Sequence, residues 1–301
     1  MKLADYREVL NLCSDHGCEE LGRNISFNYI KSVAPEPLKF SEDLEAKLAT
    51  LPDPKHNGPM VHCTGYEVTN AGDGSCEASF GFDFVVTDWK HYANARQINS
   101  QFPTVWTPGV AAVLYTQAPG GKRHFIFATR NNSVDIGGSI ETPPAGFLNV
   151  QPKLVTGDPL QSQEDRVTYE VGPETRGRVI EDKLFTELGE ELGIFRTELN
   201  AIHPLTVIKI GTTKGAKPQA INNYSIDYEL LTAMPPEIIK ERFAEKQQKG
   251  GKYGGEHSRI FVVAEEDLAS FVREHQQNLA LRPKADLKTF LEKHPEMVAT
   301  A

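Results

Sequence analysis

The stretch TELGEELGI, residues 186–194, carries three carboxylates, Glu187, Glu190 and Glu191, at spacings of three and four residues. On a helix these spacings bring the side chains to one face, where like charges repel one another. A cation among them would relieve that repulsion, and hard divalent ions such as Mg²⁺ bind carboxylate oxygens. The stretch therefore predicts a helix with a cation-binding acidic face; the alternative is an ordinary solvated acidic face.

The opposite face of this predicted helix is apolar and fit to pack on a core. Its apolar residues are Leu184, Phe185, Leu188 and Leu192. Gly193 fits a helix C-terminus, where a residue in the left-handed conformation ends the last turn. Gly189 lies inside the helix, where glycine costs about 1 kcal/mol relative to alanine.

The stretch resembles the box of the Nudix hydrolases: Gly, five residues, Glu, seven residues, then Arg-Glu-U-x-Glu-Glu-x-Gly-U, with U aliphatic. Residues 187–194 match its second half in register, whereas Thr186 stands at the Arg and Arg178 at the first Glu. Gly172 falls at the first Gly by counting, but the turn PAGF, residues 144–147, is more similar to the family's leading Gly. That turn resembles the branch that cleaves ADP-ribose and ADP-sugars, and it implies an insertion at about residues 148–175.

The resemblance implies an α+β fold: a Nudix-like α/β/α sandwich with a mixed sheet, preceded here by an N-terminal α+β extension. It implies Mg²⁺, with Mn²⁺ as the alternative, held by Glu187, Glu190, Glu191 and the backbone carbonyl of Ala145. Glu256, in a loop before the last expected strand, or a box glutamate such as Glu187, would take the proton from the attacking water.

The residues expected at the substrate are Arg130, Glu141 and Phe147. For Glu256 the alternative is a polar residue beside a glycine-rich turn, and for Glu141 it is a surface carboxylate at a strand end. Thr186 cannot supply the cation that the family's Arg provides; Arg178, two turns earlier, is a candidate replacement. Further aromatic candidates for base stacking are Trp106, Tyr224 and Tyr228, with core packing as the alternative.

Two functions follow from the resemblance. The first is Mg²⁺-dependent hydrolysis of a nucleoside diphosphate linked to another group, with ADP-ribose or an ADP-sugar favoured as the substrate. The second is a catalytically weak or inactive module of the same fold that binds a nucleotide or a protein. Isoprenoid diphosphate isomerisation, on a related fold, needs a cysteine near the substrate. All four cysteines lie before residue 77, outside the Nudix-like region, so this activity is disfavoured.

Composition limits the other classes. A chain of 301 residues with 39% hydrophobic content can bury a substantial core, and its net charge of −9 argues against broad binding to nucleic acid. The spacing of Cys13 and Cys18 differs from that of common zinc sites, so free thiols are favoured over a zinc site. Apolar runs are too short for a membrane span, and residues 1–8 lack the apolar core of a signal peptide, so we expect a cytoplasmic protein. The resemblance to the Nudix family implies a homodimer.

Periodicity and turn residues divide the chain into an N-terminal accessory α+β region, residues 1–104, and a Nudix-like domain, residues 105–301. Expected helices span residues 6–21, 41–51, 91–100, 236–248, 267–275 and 284–294, besides the acidic one. Expected strands span residues 60–68 and 77–86, as a hairpin, and residues 110–116, 124–129, 205–210, 221–231 and 261–264.

Overall fold

The computed structural model describes residues 8–11, 20–21, 26–29, 42–50, 59–70, 77–88, 107–117, 120–131, 137–148, 176–211, 223–249 and 256–298. The strands are β1 (Glu8–Asn11), β2 (Glu20–Leu21), β3 (Ser26–Tyr29), β4 (Pro59–Asn70), β5 (Glu77–Asp88), β6 (Thr107–Gln117), β7 (Arg123–Arg130), β8 (Ile140–Glu141), β9 (Ala145–Phe147), β10 (Leu199–Gly211), β11 (Asn223–Thr232) and β12 (His257–Ala264). The helices are α1 (Glu42–Ala49), α2 (Arg176–Leu192), α3 (Pro236–Lys249), α4 (Leu268–Glu274), α5 (Leu281–Lys293) and α6 (Pro295–Val298).

The larger sheet has the order β1-β10-β11-β6-β7-β12, with β8 added beside β7 and β9 beside β6. Strands β11 and β6 run parallel, and the other pairs in this sheet are antiparallel, so the sheet is mixed. A smaller four-stranded sheet contains β2, β3, β4 and β5. Together with the helices, these sheets make an α+β fold, as the sequence predicts.

Two apolar clusters lie on opposite faces of the larger sheet. Alternate residues of β6 enter them: Val110, Ala112 and Leu114 join one cluster, and Val113 and Tyr115 join the other. Side chains of a strand alternate between faces, which explains this division. The first cluster is covered by α2 and α3, and the second by α4, α5 and α6. The sheet thus lies between two helical layers, in an α/β/α sandwich.

Strand β6 has different partners at its two ends, and this places the expected Pro-Ala-Gly turn. Near its end, Tyr115 pairs with Phe125 of β7, whereas near its start Gly109 and Ala111 pair with Phe147 and Ala145 of β9. The chain from β7 to β9 therefore returns into the sheet beside β6. Helix α2 comes next in the described chain and packs on one face of the sheet, where its Leu184, Leu188 and Leu192 are fully buried. This arrangement brings the turn against the acidic helix.

Most expected elements are present near their expected bounds, including the hairpin of β4 and β5, which pair antiparallel. The helix expected over residues 6–21 is wrong. Residues 8–11 instead form β1, which pairs with the edge of β10, and residues 20–21 form β2, which pairs with β5. Strand pairing satisfies backbone groups that a local helical pattern would otherwise have satisfied internally, so long-range contacts override the pattern.

Several expectations fall on residues outside the described ranges: the helix over residues 91–100, nearly all of the insertion at 148–175, Gly172 and Trp106. The division at residue 104 stays a prediction; β1 belongs to the larger sheet, although β2 to β5 form the smaller one. Where the structure describes the chain, none of its helices has the length and apolarity needed to cross a membrane.

Candidate functional site

Helix α2 presents its glutamates towards the turn that contains β9. Glu187 and Glu191 are only 8% and 5% exposed, and Glu190 is half-buried. Burial of two carboxylates on a helix is unfavourable unless partners compensate for the lost hydration. A solvated acidic face, the alternative from sequence, is therefore excluded for Glu187 and Glu191.

The C-terminus of α2 is held by two cations from α3. Lys246 donates to the carbonyls of Gly189 and Glu190, the latter at 3.1 Å, and Arg242 donates to the carbonyl of Gly193 at 2.9 Å. Gly193 has the left-handed φ of +71° expected from sequence. Positive charge at a helix C-terminus satisfies the last carbonyls and complements the helix dipole. These contacts fix the helix end that carries Glu190 and Glu191.

Glu187 lies directly against the backbone of Gly146. A Cβ atom built on Gly146 would lie 2.6 Å from Cγ of Glu187 and still closer to its carboxyl group. A side chain at residue 146 would therefore displace Glu187. The carboxylate of Glu187 pairs with Nζ of Lys183, one turn earlier on the same helix. Burial and the charge of Glu190 raise the pKa of Glu187, and Lys183 opposes them.

The close approach of Gly146 to Glu187 gives a prediction for two glycine substitutions. Gly146→Ala should lower the free energy of unfolding by about 1–3 kcal/mol, because the added methyl group would displace the buried side chain of Glu187. Gly189→Ala is the matched control: its Cβ would have no neighbour nearer than 3.9 Å, so it should stabilise the protein by about 1 kcal/mol. Urea denaturation of both variants measures this, and a stable Gly146→Ala protein would contradict the tight contact.

Glu191 is buried with one of its oxygens lacking a partner. Its Oε1 accepts a hydrogen bond from the backbone N–H of Ala145 at 3.3 Å, whereas Oε2 has no hydrogen-bond partner among the described residues. Burial, together with the charges of Glu187, Glu256 and Glu141, raises the pKa of Glu191 well above its ordinary value. The metal-binding role of the Ala145 carbonyl stays a prediction, and the backbone of Ala145 lies beside Glu191.

His257, the first residue of β12, also faces Glu191. Its Nδ1 lies 3.9 Å from Oε2 of Glu191. Burial lowers the pKa of His257 to about 4, with Arg130 and Arg282 adding to the effect, so the ring is neutral at pH 7. Neutral imidazole does not supply the positive charge that Glu191 lacks.

Glu256 lies immediately before β12, as expected, and joins the same group of carboxylates. Its backbone carbonyl accepts a hydrogen bond from Asn131 at 2.7 Å, which ties the loop to the end of β7. Burial and the charges of Glu187 and Glu141 raise the pKa of Glu256, whereas Arg130 and Lys183 oppose the rise. The structure therefore brings together carboxylates from α2, β8 and the start of β12.

Glu141 is buried at the end of β8 between two guanidinium groups. Its Oε2 lies 3.5 Å from Nη1 of Arg130 and 3.5 Å from Nη2 of Arg282. Burial alone would raise the pKa of Glu141, but the two guanidinium groups lower it below its ordinary value. Glu141 is thus a buried, charge-paired group, and the alternative of a surface carboxylate is wrong.

Arg282 belongs to a buried network that links α5 to the site. Its Nη2 donates to the carbonyl of Thr142 at 3.1 Å, and its Nη1 lies 3.4 Å from Asp286. Among the described residues, Asp286 and Asp227 of β11 each have one buried carboxyl oxygen without a hydrogen-bond partner, and burial raises the pKa of both carboxyls. Arg282 therefore anchors the chain between β8 and β9 from the opposite helical layer.

The remaining expected residues are placed as follows. Phe147 is half-buried at the end of β9, beside Gly109. Thr186 is exposed and donates to the carbonyl of Asp182 at 2.7 Å. The side chain of Arg178 lies outside the described residues. Tyr224 and Tyr228 are buried in the core, which confirms core packing over base stacking.

Four residues of this site were missed by sequence reasoning: Lys183, His257, Arg282 and Asp286. The spacing of Arg282 and Asp286, four residues apart in α5, is a detectable signal for a helical ion pair. Lys183 carries the same four-residue relation to Glu187. Of the four missed residues, only His257 has no such signal in the sequence, because a histidine beside a glycine-rich turn reads as an ordinary loop residue.

The donor chemistry of the site suits a hard metal ion, although the donors do not converge on one point. Carboxylate oxygens predominate, one of them is buried without a partner, and Gly146 leaves Glu187 room to reach the turn. Across the described ranges, no three His, Cys, Asp or Glu side chains are arranged to hold a metal ion together. The carboxylate of Glu187 is instead paired with the ammonium group of Lys183.

Comparison with known proteins gives structural likeness alone. No protein-family model matches the sequence, and a search of curated proteins gives no significant match. Solved structures similar to this chain include a Nudix hydrolase from M. smegmatis, RenU, at 11% identity, covering 66% of this chain and 94% of that one, with a TM-score of 0.33.

A Nudix hydrolase from Alicyclobacillus acidocaldarius is similar at 8% identity, covering 62% of this chain and 91% of that one, with a TM-score of 0.37. A C. elegans Ap4A hydrolase is similar at 14% identity, covering 64% and 99% respectively, with a TM-score of 0.29.

Proposed function

We propose that this chain is a Mg²⁺-dependent hydrolase of the Nudix type that cleaves the pyrophosphate bond of a nucleoside diphosphate linked to another group. ADP-ribose or an ADP-sugar is the favoured substrate, and Mn²⁺ is the alternative metal. The observation that carries the proposal is the buried Oε2 of Glu191, which lies among the charges of Glu187, Glu256 and Glu141 and has no hydrogen-bond partner in the described part of the chain. Such an oxygen is unfavourable unless a cation or a proton completes it.

The proposed metal ligands are Glu187, Glu190, Glu191 and the carbonyl of Ala145. When bound, Mg²⁺ would neutralise phosphate charge and make a water molecule more acidic. Glu256, or Glu187 itself, would accept a proton from the attacking water. A raised pKa suits a carboxyl group for this role, because a general base works best when its pKa approaches the working pH.

Arg130, Glu141 and Phe147 are proposed to bind the substrate. The guanidinium of Arg130, paired with Glu141, is suited to phosphate oxygens, which it can contact with two parallel donors. Phe147 is half-buried one residue beyond Gly146 and offers an apolar surface beside the carboxylates. A small nucleotide as partner, a homodimer and a cytoplasmic location complete the proposal.

The experiment that tests this function is hydrolysis of a substrate panel with Mg²⁺ or Mn²⁺, read by mass spectrometry. The panel contains ADP-ribose, NADH, ADP-glucose, nucleoside triphosphates, dinucleoside polyphosphates and capped RNA. We expect a diphosphate-linked member to be split into two phosphate-bearing products, with EDTA abolishing the reaction. Reaction in ¹⁸O-water would place the label on one product phosphate and thereby show which phosphorus the water attacks.

The competing function is a module that binds a nucleotide without cleaving it. Thr186 at the family's Arg position and the lack of three converging metal ligands in the described ranges favour it. Calorimetry with the same panel separates the two functions. Binding of a panel member without cleavage in either metal would replace the hydrolase with the binding module.

A further inference from the structure

The ion pair between Lys183 and Glu187 lies at this site, and the proposed chemistry does not use it. The two residues lie one turn apart on α2, and Nζ of Lys183 contacts Oε1 of Glu187. Their side chains are only 20% and 10% exposed. Partial burial strengthens the attraction between charges relative to an exposed helical pair.

This pair is poorly explained as support for the helix. Isolated helices gain more from a glutamate that precedes a lysine by four residues than from the reverse order. Here Lys183 precedes Glu187, which is the less favourable order. The C-terminus of α2 is already held by Arg242 and Lys246. Helix stability therefore does not explain the position of Lys183, and its role is sought in its effect on the carboxylates.

Each buried carboxylate of the site has a different partner. Glu141 lies between Arg130 and Arg282, and Glu191 has the N–H of Ala145. Among the described contacts of Glu187, Lys183 is the cation. Lys183 also acts on Glu256, where it opposes the rise in pKa that burial produces. The ion pair of its ammonium group is with Glu187, one of the two proposed catalytic carboxylates.

We propose that Lys183 is a built-in counterion that occupies the cation position at Glu187 and must leave before a divalent ion binds there. This inference rests on the proposed function, since it concerns the same metal site. The four-carbon stem of lysine lets the ammonium group swing away without movement of the helix.

The consequence is that Lys183 weakens metal binding while stabilising the metal-free protein. Removing its charge leaves Glu187 available and removes a positive charge that repels the metal ion. We expect Lys183→Met to bind Mn²⁺ about tenfold more tightly than the unmodified chain, which corresponds to about 1.4 kcal/mol. In EDTA the same variant should unfold at a lower temperature, because the buried charge of Glu187 has lost its partner.

The test is titration of the full, substrate-free chain with Mn²⁺, followed by the electron paramagnetic resonance of the unbound ion. Lys183→Arg keeps the charge and should keep the lower affinity, whereas Lys183→Gln should match Lys183→Met and provides a second neutral variant. Lys240→Met is the matched control, because Lys240 is exposed on α3 and its removal changes the net charge equally. It should leave Mn²⁺ affinity unchanged.

The outcomes separate the inference from the proposed function. Equal Mn²⁺ affinity in the unmodified chain and both neutral variants would overturn the role of Lys183 and leave the metal site in place. Weaker binding in the neutral variants would also overturn it, since Lys183 would then support the site. If no variant binds Mn²⁺ and the unmodified chain does not either, the metal-dependent function fails and the inference fails with it.

Discussion

Glu187→Gln should reduce kcat by about 10²- to 10⁴-fold on whichever panel member the chain cleaves. Glutamine preserves the shape that packs against Gly146 but cannot accept the proton or neutralise a cation. Because the substitution leaves Arg130 and Phe147 untouched, KM should change much less than kcat. Steady-state kinetics at saturating Mg²⁺ measures both parameters.

The matched control is Glu181→Gln, the same substitution on the same helix. Glu181 pairs with Arg196 at 3.5 Å and is half-exposed, so its change should leave kcat within about twofold. A Glu187→Gln enzyme as active as the Glu181→Gln enzyme would remove Glu187 from the chemistry. In that case Glu256→Gln becomes the next variant, since Glu256 is the other candidate base.

Arg282→Met should lower the free energy of unfolding by about 3–5 kcal/mol, the usual cost of removing one partner from a buried ion pair. Arg282 is buried and contacts Asp286, Glu141 and the carbonyl of Thr142. Without it, Asp286 loses its cation while remaining beside Asp227, and Glu141 retains Arg130 alone. Guanidinium chloride denaturation measures the change.

Lys288→Met is the control for the Arg282 substitution. Lys288 lies on the same helix and pairs with Glu292, but both side chains are largely exposed, so the change should cost at most about 1 kcal/mol. Adding Asp286→Leu to Arg282→Met should recover part of the loss, because both charges are then absent. If Arg282→Met and Lys288→Met cost the same, the buried network does not stabilise the fold.

Local pattern was enough to predict the elements that build the larger sheet and its helices. Apolar spacing in α2 predicted that Leu184, Leu188 and Leu192 would be buried, and all three are. Gly193 was predicted to end the helix, and its positive φ confirms this. These features depend on the periods of helix and strand, which are properties of neighbouring residues in the chain.

The helix predicted near the N-terminus is wrong because the prediction used local pattern alone. A helical pattern over residues 6–21 is local, whereas β1 exists because the edge of β10, two hundred residues away, offers hydrogen-bond partners. Pairing between distant segments leaves little trace in one segment alone. The position of β2 beside β5 has the same origin.

The acidic helix, its apolar stripe and its end were determined by the sequence, and so was the position of Glu256 just before the last strand. The partners of the charges were decided by the tertiary structure alone. Arg282 reaches Glu141 from the opposite helical layer, Ala145 donates to Glu191 from another element, and His257 becomes neutral through burial. The reason is physical: helix and strand periods are set by nearby residues, but the charge state of a buried group is set by everything that surrounds it.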